Sequence, residues 1–229
     1  MNTPLLDKLY QKYDIENLSY GKVHDKLGDA YEEYCILILS NRDFLAAFQK
    51  NERIDSAEFE IFKSLLTKAG VNNITEIVEI TATNIVPHRK THGNAKTDVI
   101  ATIKYNDGTE VKLPISSKQS YVSKVAVSEF DIDTICDEAG IDNDRVRELM
   151  RKFQTAKSAK GLTATEQTEL RNLLAPYARN LVRWAITGRP EENPNNVVFP
   201  KLLVKFKISK PKDRFNIKVS NGELNYISH

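Results

Sequence analysis

The stretch from Val99 to Ile115 constrains the fold of this chain most. Val99–Tyr105 and Thr109–Ile115 are rich in β-branched and aromatic residues, and Asn106-Asp107-Gly108 separates them. Gly and Asn tolerate the positive φ of a tight turn, so the spacing predicts a β-hairpin. Folding that hairpin about Asp107 brings Asp98, at the start of the first strand, beside Ser116 to Lys118 at the end of the second. Ser116 and Lys118 are two apart on one strand and therefore point to the same face.

An acid, a second oxygen donor and a lysine on one face of a hairpin suit metal-assisted phosphodiester hydrolysis. A carboxylate holds Mg²⁺, the metal polarises the phosphate and acidifies a bound water, and the ammonium stabilises the pentavalent charge or orients the water. Thr97-Asp98 and Ser116-x-Lys118 resemble the two parts of the PD-(D/E)xK nuclease motif. The pattern is short, and surface charges flanking a turn produce the same letters.

Length and composition fit a single domain with a real core: 229 residues, 41% hydrophobic and 28% charged. The net charge of +2 excludes neither nucleic acid nor any other partner, because a basic surface can be local. Cys35 and Cys136 fall in helical patterns without C-x-x-C spacing and read as buried thiols. No run approaches a membrane span and Met1-Asn-Thr-Pro4 lacks signal-peptide character, so a cytoplasmic protein is expected.

Pro4–Tyr13 reads as a short amphipathic helix, and His24–Gln49 as one long helix with Leu27, Tyr31, Tyr34, Cys35, Ile38 and Leu39 on a face. Gly28 and Glu32 lie on one side of it. Glu32 is a candidate to lean toward the hairpin site; the alternative is an exposed glutamate beside Asp29 and Glu33. Ser56–Ala69 predicts a capped helix ended by Gly70, and Ile74–Thr83 a strand. Arg89 and Lys90, in the polar loop Pro87–Asn94, are candidate phosphate contacts, as are Gln119 and Lys124 just past the hairpin. His88 and His92 in that loop lack the further ligands a zinc site needs.

Two helices, Asp131–Ala139 and Asp142–Gln154, are separated by Gly140. The second carries Arg145, Arg147, Arg151 and Lys152, continued by Lys157 and Lys160, the densest basic cluster in the chain. It reads either as a phosphate-contacting surface or as a solvated face balanced by Asp142, Asp144 and Glu148. Thr165–Thr187 is expected as one long helix bent at Pro176, with Trp184 in the core. Val197–Ile208, Phe215–Val219 and Glu223–Ile227 read as strands, with interleaved lysines including Lys201, Lys205, Lys207 and Lys218 largely on one face.

Longer blocks carry a family resemblance. Thr3-Pro-Leu-Leu-Asp-Lys-Leu-Tyr10, Asp25-Lys-Leu-Gly-Asp-Ala-Tyr-Glu-Glu-Tyr34, Lys96-Thr-Asp98, Pro114-Ile-Ser-Ser-Lys118 and Glu129-Phe-Asp-Ile-Asp-Thr-Ile-Cys136 together resemble the MspI-type family of type II restriction endonucleases. So do Leu173-Leu-Ala-Pro-Tyr177, Val182-Arg-Trp184 and Pro200-Lys-Leu-Leu-Val-Lys-Phe206. The similarity is collinear from Thr3 to about Ile208.

The resemblance implies an α/β restriction-endonuclease-like fold, a central mixed β-sheet flanked by helices. Within one domain it implies a helical part at 1–70, the catalytic hairpin core at 74–118, a helical part at 128–188 and C-terminal strands at 197–229. It further implies Mg²⁺-dependent cleavage of double-stranded DNA at CCGG, leaving 5′-phosphate ends, with a companion methyltransferase that protects the same site. By motif position, Asp98 is implied as metal ligand and Lys118 as the catalytic lysine. Ser116 and the Ser117 carbonyl take further ligand positions, and Glu32 matches the family's helix glutamate. Two departures stand out. Ser116 replaces the acid of most PD-(D/E)xK enzymes and the amide of MspI-type enzymes, which predicts weaker metal affinity. The residues after Ile208 do not align with the family's basic, base-reading tail, which leaves another short GC-rich palindrome as an alternative target. The rival readings are a non-cleaving DNA-binding relative and a structure-specific repair nuclease.

Overall fold

The computed structural model describes residues 3–18, 20–87, 96–120, 131–187, 197, 200–208 and 215–221. The chain forms two compact units, one of residues Met1–Val125 and Asn193–His229 and the other of Ala126–Glu192. The predicted strand Glu223–Ile227 lies outside the described residues.

The first unit is built on a five-stranded mixed sheet: β1 (Ile77–Thr83), β2 (Val99–Tyr105), β3 (Glu110–Ser120), β4 (Leu202–Ile208) and β5 (Phe215–Asn221), in that spatial order. The β2–β3 hairpin forms as its turn chemistry dictates. Gly108 adopts φ +85°, its N–H donates to Tyr105 O at 3.0 Å, and Asp107 Oδ1 accepts from Thr109 N at 2.8 Å. Antiparallel pairing sets Val99 opposite Ile115. β3 runs on through Ser120, five residues past the predicted Ile115, and this extension lets it pair in parallel with β4. β4 begins at Leu202, later than the predicted Val197, and β5 pairs with it antiparallel.

Among the described residues, four α-helices belong to this unit: α1 (Pro4–Lys12), α2 (Tyr20–Leu39), α3 (Arg42–Gln49) and α4 (Ala57–Lys68). Leu27, Tyr31, Tyr34, Cys35 and Ile38 of α2 are fully buried in a core shared with Val99, Ile103, Ile115, Val204 and Phe206 of the sheet. The Tyr31 ring lies 4.7 Å from that of Phe206, tying α2 to β4. Burial of such side chains contributes roughly 1.5–3 kcal/mol each, which fixes α2 on the sheet. The predicted helix His24–Gln49 is in fact broken after Leu39. The Asn41 side chain accepts from Asp43 N (3.0 Å) and Phe44 N (3.1 Å), starting α3 afresh, and Ser40 Oγ accepts from Ala82 N of β1. Local capping here outweighs an apolar periodicity that runs straight through the break.

The second unit contains α5 (Ile132–Ala139), α6 (Asp144–Ala156), α7 (Ala164–Leu174) and α8 (Ala178–Thr187). Its core is Ile132, Cys136, Ala139, Ile141 and Val146, with Leu170, Leu173, Leu174, Tyr177 and Leu181 packed against it. Gly140 ends α5 in the left-handed conformation at φ +68°. The predicted helix Thr165–Thr187 is divided into α7 and α8 by a 3₁₀ turn at Ala175–Tyr177, where Pro176 has no N–H to continue the ladder. Trp184 is buried, and both cysteines are buried and free. Among the described residues no helix is long and apolar enough to cross a membrane.

Candidate active site

The hairpin register delivers the expected convergence. Asp98 precedes β2, and its N–H donates to Ile115 O at 2.8 Å, so its side chain meets the β3 segment Ser116–Lys118. Asp98 Oδ2 accepts three hydrogen bonds there: from Ser116 Oγ at 3.0 Å, Ser117 N at 2.7 Å and Lys118 Nζ at 3.0 Å. One carboxylate oxygen thus gathers a hydroxyl, a backbone amide and an ammonium. Ser116 and Ser117 are buried, whereas the Lys118 side chain keeps 32% of its surface and Asp98 keeps 18%. The pair therefore sits at the protein surface, open to a substrate.

Glu32, on α2, belongs to the same electrostatic neighbourhood. Burial pushes its carboxyl up to about 7, the charges of Asp98 and Asp29 push in the same direction, and Lys118 opposes them. A helix glutamate that feels both Asp98 and Lys118 has the placement expected from the sequence. A Cβ on Gly28 would meet only Gln119 Nε2, at an ordinary 3.8 Å.

The oxygens of Asp98, Glu32, Ser116 and the Ser117 carbonyl are hard donors of the kind Mg²⁺ takes. No cluster of three or more His, Cys, Asp or Glu residues forms a metal cage among the described residues. Mg²⁺ uses one or two carboxylates and keeps waters or substrate phosphates for its remaining positions.

Comparison with known proteins decides the family. The model of the MspI restriction endonuclease family matches residues 6–226. The chain belongs to the MspI restriction endonuclease family. It is 31% identical to the type II restriction enzyme MspI of a Moraxella species over 212 residues, covering 91% of this chain and 80% of that enzyme. It is 26% identical to the type II restriction enzyme BsuFI of Bacillus subtilis over 189 residues, covering 79% of this chain and 47% of the relative. The crystal structure of MspI in complex with its cognate DNA superposes with a TM-score of 0.81 at 28% identity, over 97% of this chain and 85% of that one. The MspI-family match runs to residue 226, past the Ile208 limit read from the sequence blocks alone.

Within this MspI-family scaffold the other candidate residues fall in different settings. Arg89, Lys90 and Lys124 lie outside the described residues. Gln119 is on β3, against Gly28. Four members of the basic cluster are committed to ion pairs that hold α6 to its neighbours. Arg145 pairs with Glu148 and Glu169, Arg147 with Asp133 and Asp137, Arg151 with Asp133, and Lys152 with Glu166. The Lys152 ammonium holds the Glu166 carboxyl down to about 2, and the N–H of Thr163 adds to this through a capping box. Lys157, in the left-handed conformation at φ +51°, and Lys160 follow α6, exposed and without an ion pair among the described residues. Lys205 reads in the sequence as one of several face lysines, yet strand pairing sets it directly beside Lys118. No local signal reveals this, because β3 and β4 are distant in sequence.

Proposed function

We propose that this member of the MspI family is a Mg²⁺-dependent type II restriction endonuclease. It cuts both strands of duplex DNA at a short palindrome, CCGG, and leaves 5′-phosphate and 3′-hydroxyl ends. The observation that carries the reading is the convergence of Ser116 Oγ, Ser117 N and Lys118 Nζ on Asp98 Oδ2, on a hairpin face still open to a substrate.

Asp98, Glu32, Ser116 Oγ and the Ser117 carbonyl would hold the metal. When bound, Mg²⁺ supplies Lewis-acid polarisation of the phosphate and acidifies the attacking water. Asp98 positions Lys118 through their hydrogen bond. The Lys118 ammonium then lies where negative charge grows on the phosphoryl oxygens, which lowers the barrier by electrostatic stabilisation. Water adds to phosphorus in line with the leaving oxygen, the bond to the 3′-oxygen breaks, and that oxygen takes up the proton the water loses.

Phosphate contacts that give affinity without sequence preference fall to Lys157 and Lys160 first, with Arg89, Lys90, Gln119 and Lys124 as further candidates. Arg145, Arg147, Arg151 and Lys152 serve mainly to brace α6. Digestion of a defined plasmid with Mg²⁺, followed by sequencing of the ends, tests the function. Discrete cuts at CCGG support it. Binding without cutting would make the protein a non-cleaving relative, and preference for branched or mismatched DNA would make it a repair nuclease.

A further inference from the structure

The end of α6 and the turn that follows it carry an exposed aromatic ring among cations. Val146 and Leu149 of α6 are fully buried, Met150 packs against the core of the unit, and Phe153 continues the same stripe at helical spacing. Phe153 lies beyond that core and keeps 44% of its surface. One turn further on, Lys157 ends the helix in the left-handed conformation at φ +51°, and its N–H donates to Gln154 O at 3.1 Å. The chain then closes back on the helix. Gly161 N donates to Ser158 O at 3.0 Å and Lys160 N donates to Ser158 Oγ at 3.2 Å. A Cβ on Gly161 would collide with Ala156 Cβ, so only glycine allows this approach.

A lysine in the left-handed region is unfavourable by itself and persists only where its surroundings hold it there. Here the closed turn fixes Lys157 and Lys160 at the tip of α6, both exposed. From Phe153 to Thr165 the sequence contains no Asp or Glu, and Glu166 just beyond is already engaged by Lys152. The tip is therefore cationic around one exposed ring. A second copy docking tip to tip would set these lysines against one another, whereas a polyanion with apolar edges suits both the charge and the ring. We propose that the tip of α6 is a contact surface for duplex DNA, with Lys157 and Lys160 on phosphates and the Phe153 ring against the deoxyriboses and base edges of the adjoining groove. The inference deepens the proposed DNA cleavage and rests on that reading. The two kinds of contact differ in one measurable way: a lysine on a phosphate releases counterions, and an apolar side chain in a groove does not.

The test is equilibrium binding of a CCGG duplex in metal-free buffer across a salt series, for the parent, Phe153→Ala and Phe153→Leu, with sedimentation of each protein alone. A parent that shows no affinity for duplex DNA overturns the functional reading and this inference with it. Where the parent binds, F153A is expected to bind roughly tenfold more weakly at every salt concentration, through lost apolar burial. Its plot of log K against log salt runs parallel to the parent's, because no phosphate contact is removed. Phe153→Leu, which keeps an apolar side chain, recovers most of the affinity. A ring that only packs along α6 would lower the melting temperature of F153A and leave DNA binding alone. F153A affinity within twofold of the parent's therefore overturns the proposal. So does a parent dimer that F153A converts to monomer with DNA affinity unchanged.

Discussion

The Lys118 ammonium lies 3.0 Å from Asp98 Oδ2, although the two residues come from different strands and are separated by the whole hairpin in sequence. Each holds the other in place, and the same carboxylate oxygen also receives the Ser116 hydroxyl and the Ser117 N–H. On the proposed mechanism, the carboxylate that would hold a cation and the ammonium that would meet a phosphate are thereby positioned before any substrate arrives. Such preorganisation removes reorganisation cost from the chemical step.

Glu32 links the site to pH. Its folded carboxyl titrates near 7 instead of the usual 4.5 because charging it in place is unfavourable. The folded state therefore binds the proton more tightly than the unfolded state, and stability falls as pH rises from about 4.5 to about 7. Glu32→Gln removes this loss. Its melting temperature is expected to exceed the parent's above pH 7 and to match it below pH 4.5. The gain is on the order of 1 kcal/mol, less than the full shift implies because the carboxylate is partly solvated. Thermal melts at pH 4.5 and 8 check the sign; a variant less stable than the parent at pH 8 contradicts it.

Ser116 is a neutral donor where a second carboxylate commonly sits. Ser116→Asp is expected to lower the Mg²⁺ concentration for half-maximal cleavage by roughly tenfold, since ligand charge sets affinity for hard cations. Without metal the variant should melt earlier than the parent, because a buried carboxylate is placed against Asp98. Metal titrations of cleavage decide this, and equal Mg²⁺ dependence of the two proteins counts against it.

Gly28 has room for a methyl group, with Gln119 Nε2 at 3.8 Å from the would-be Cβ. Gly28→Ala should stabilise the protein by up to about 1 kcal/mol through helix propensity and leave cleavage within twofold. Urea unfolding together with a cleavage assay measures both. Loss of activity in a stabilised variant would show that the glycine serves the site.

The basic cluster is predicted to divide. Replacing Lys157 and Lys160 together by Ala should reduce the salt slope of DNA binding by about 1.8, the sum expected for two phosphate contacts. Arg147→Ala should leave that slope unchanged and lower the melting temperature, because Arg147 joins Asp133 and Asp137 of α5 and also donates to Ile141 O. The reverse pattern would return the role to the arginines.

How legible this was in the sequence depends on the distance over which each contact acts. The hairpin turn fixes an antiparallel register, so the meeting of Asp98 with Lys118 follows from local chemistry alone. The helix break at Ser40–Asn41 leaves only a capping residue as its signal, which an unbroken run of apolar residues obscures. The pairing of Lys118 with Lys205 has no local signal, since a parallel neighbour can come from anywhere along the chain. The ion pairs of α6 are likewise tertiary. Composition shows a basic cluster, whereas only the positions of Asp133, Asp137, Glu166 and Glu169 show which cations are already engaged.

Cleavage and binding of one CCGG duplex by the parent and by Lys118→Met test the central claim most directly. The parent should cut both strands only when Mg²⁺ is present and leave 5′-phosphate ends. Lys118→Met should cut on the order of a hundredfold or more slowly while binding the duplex within a few fold in metal-free buffer. Cutting by Lys118→Met at a rate within a few fold of the parent's would remove the Asp98–Lys118 pair from the mechanism and contradict the account.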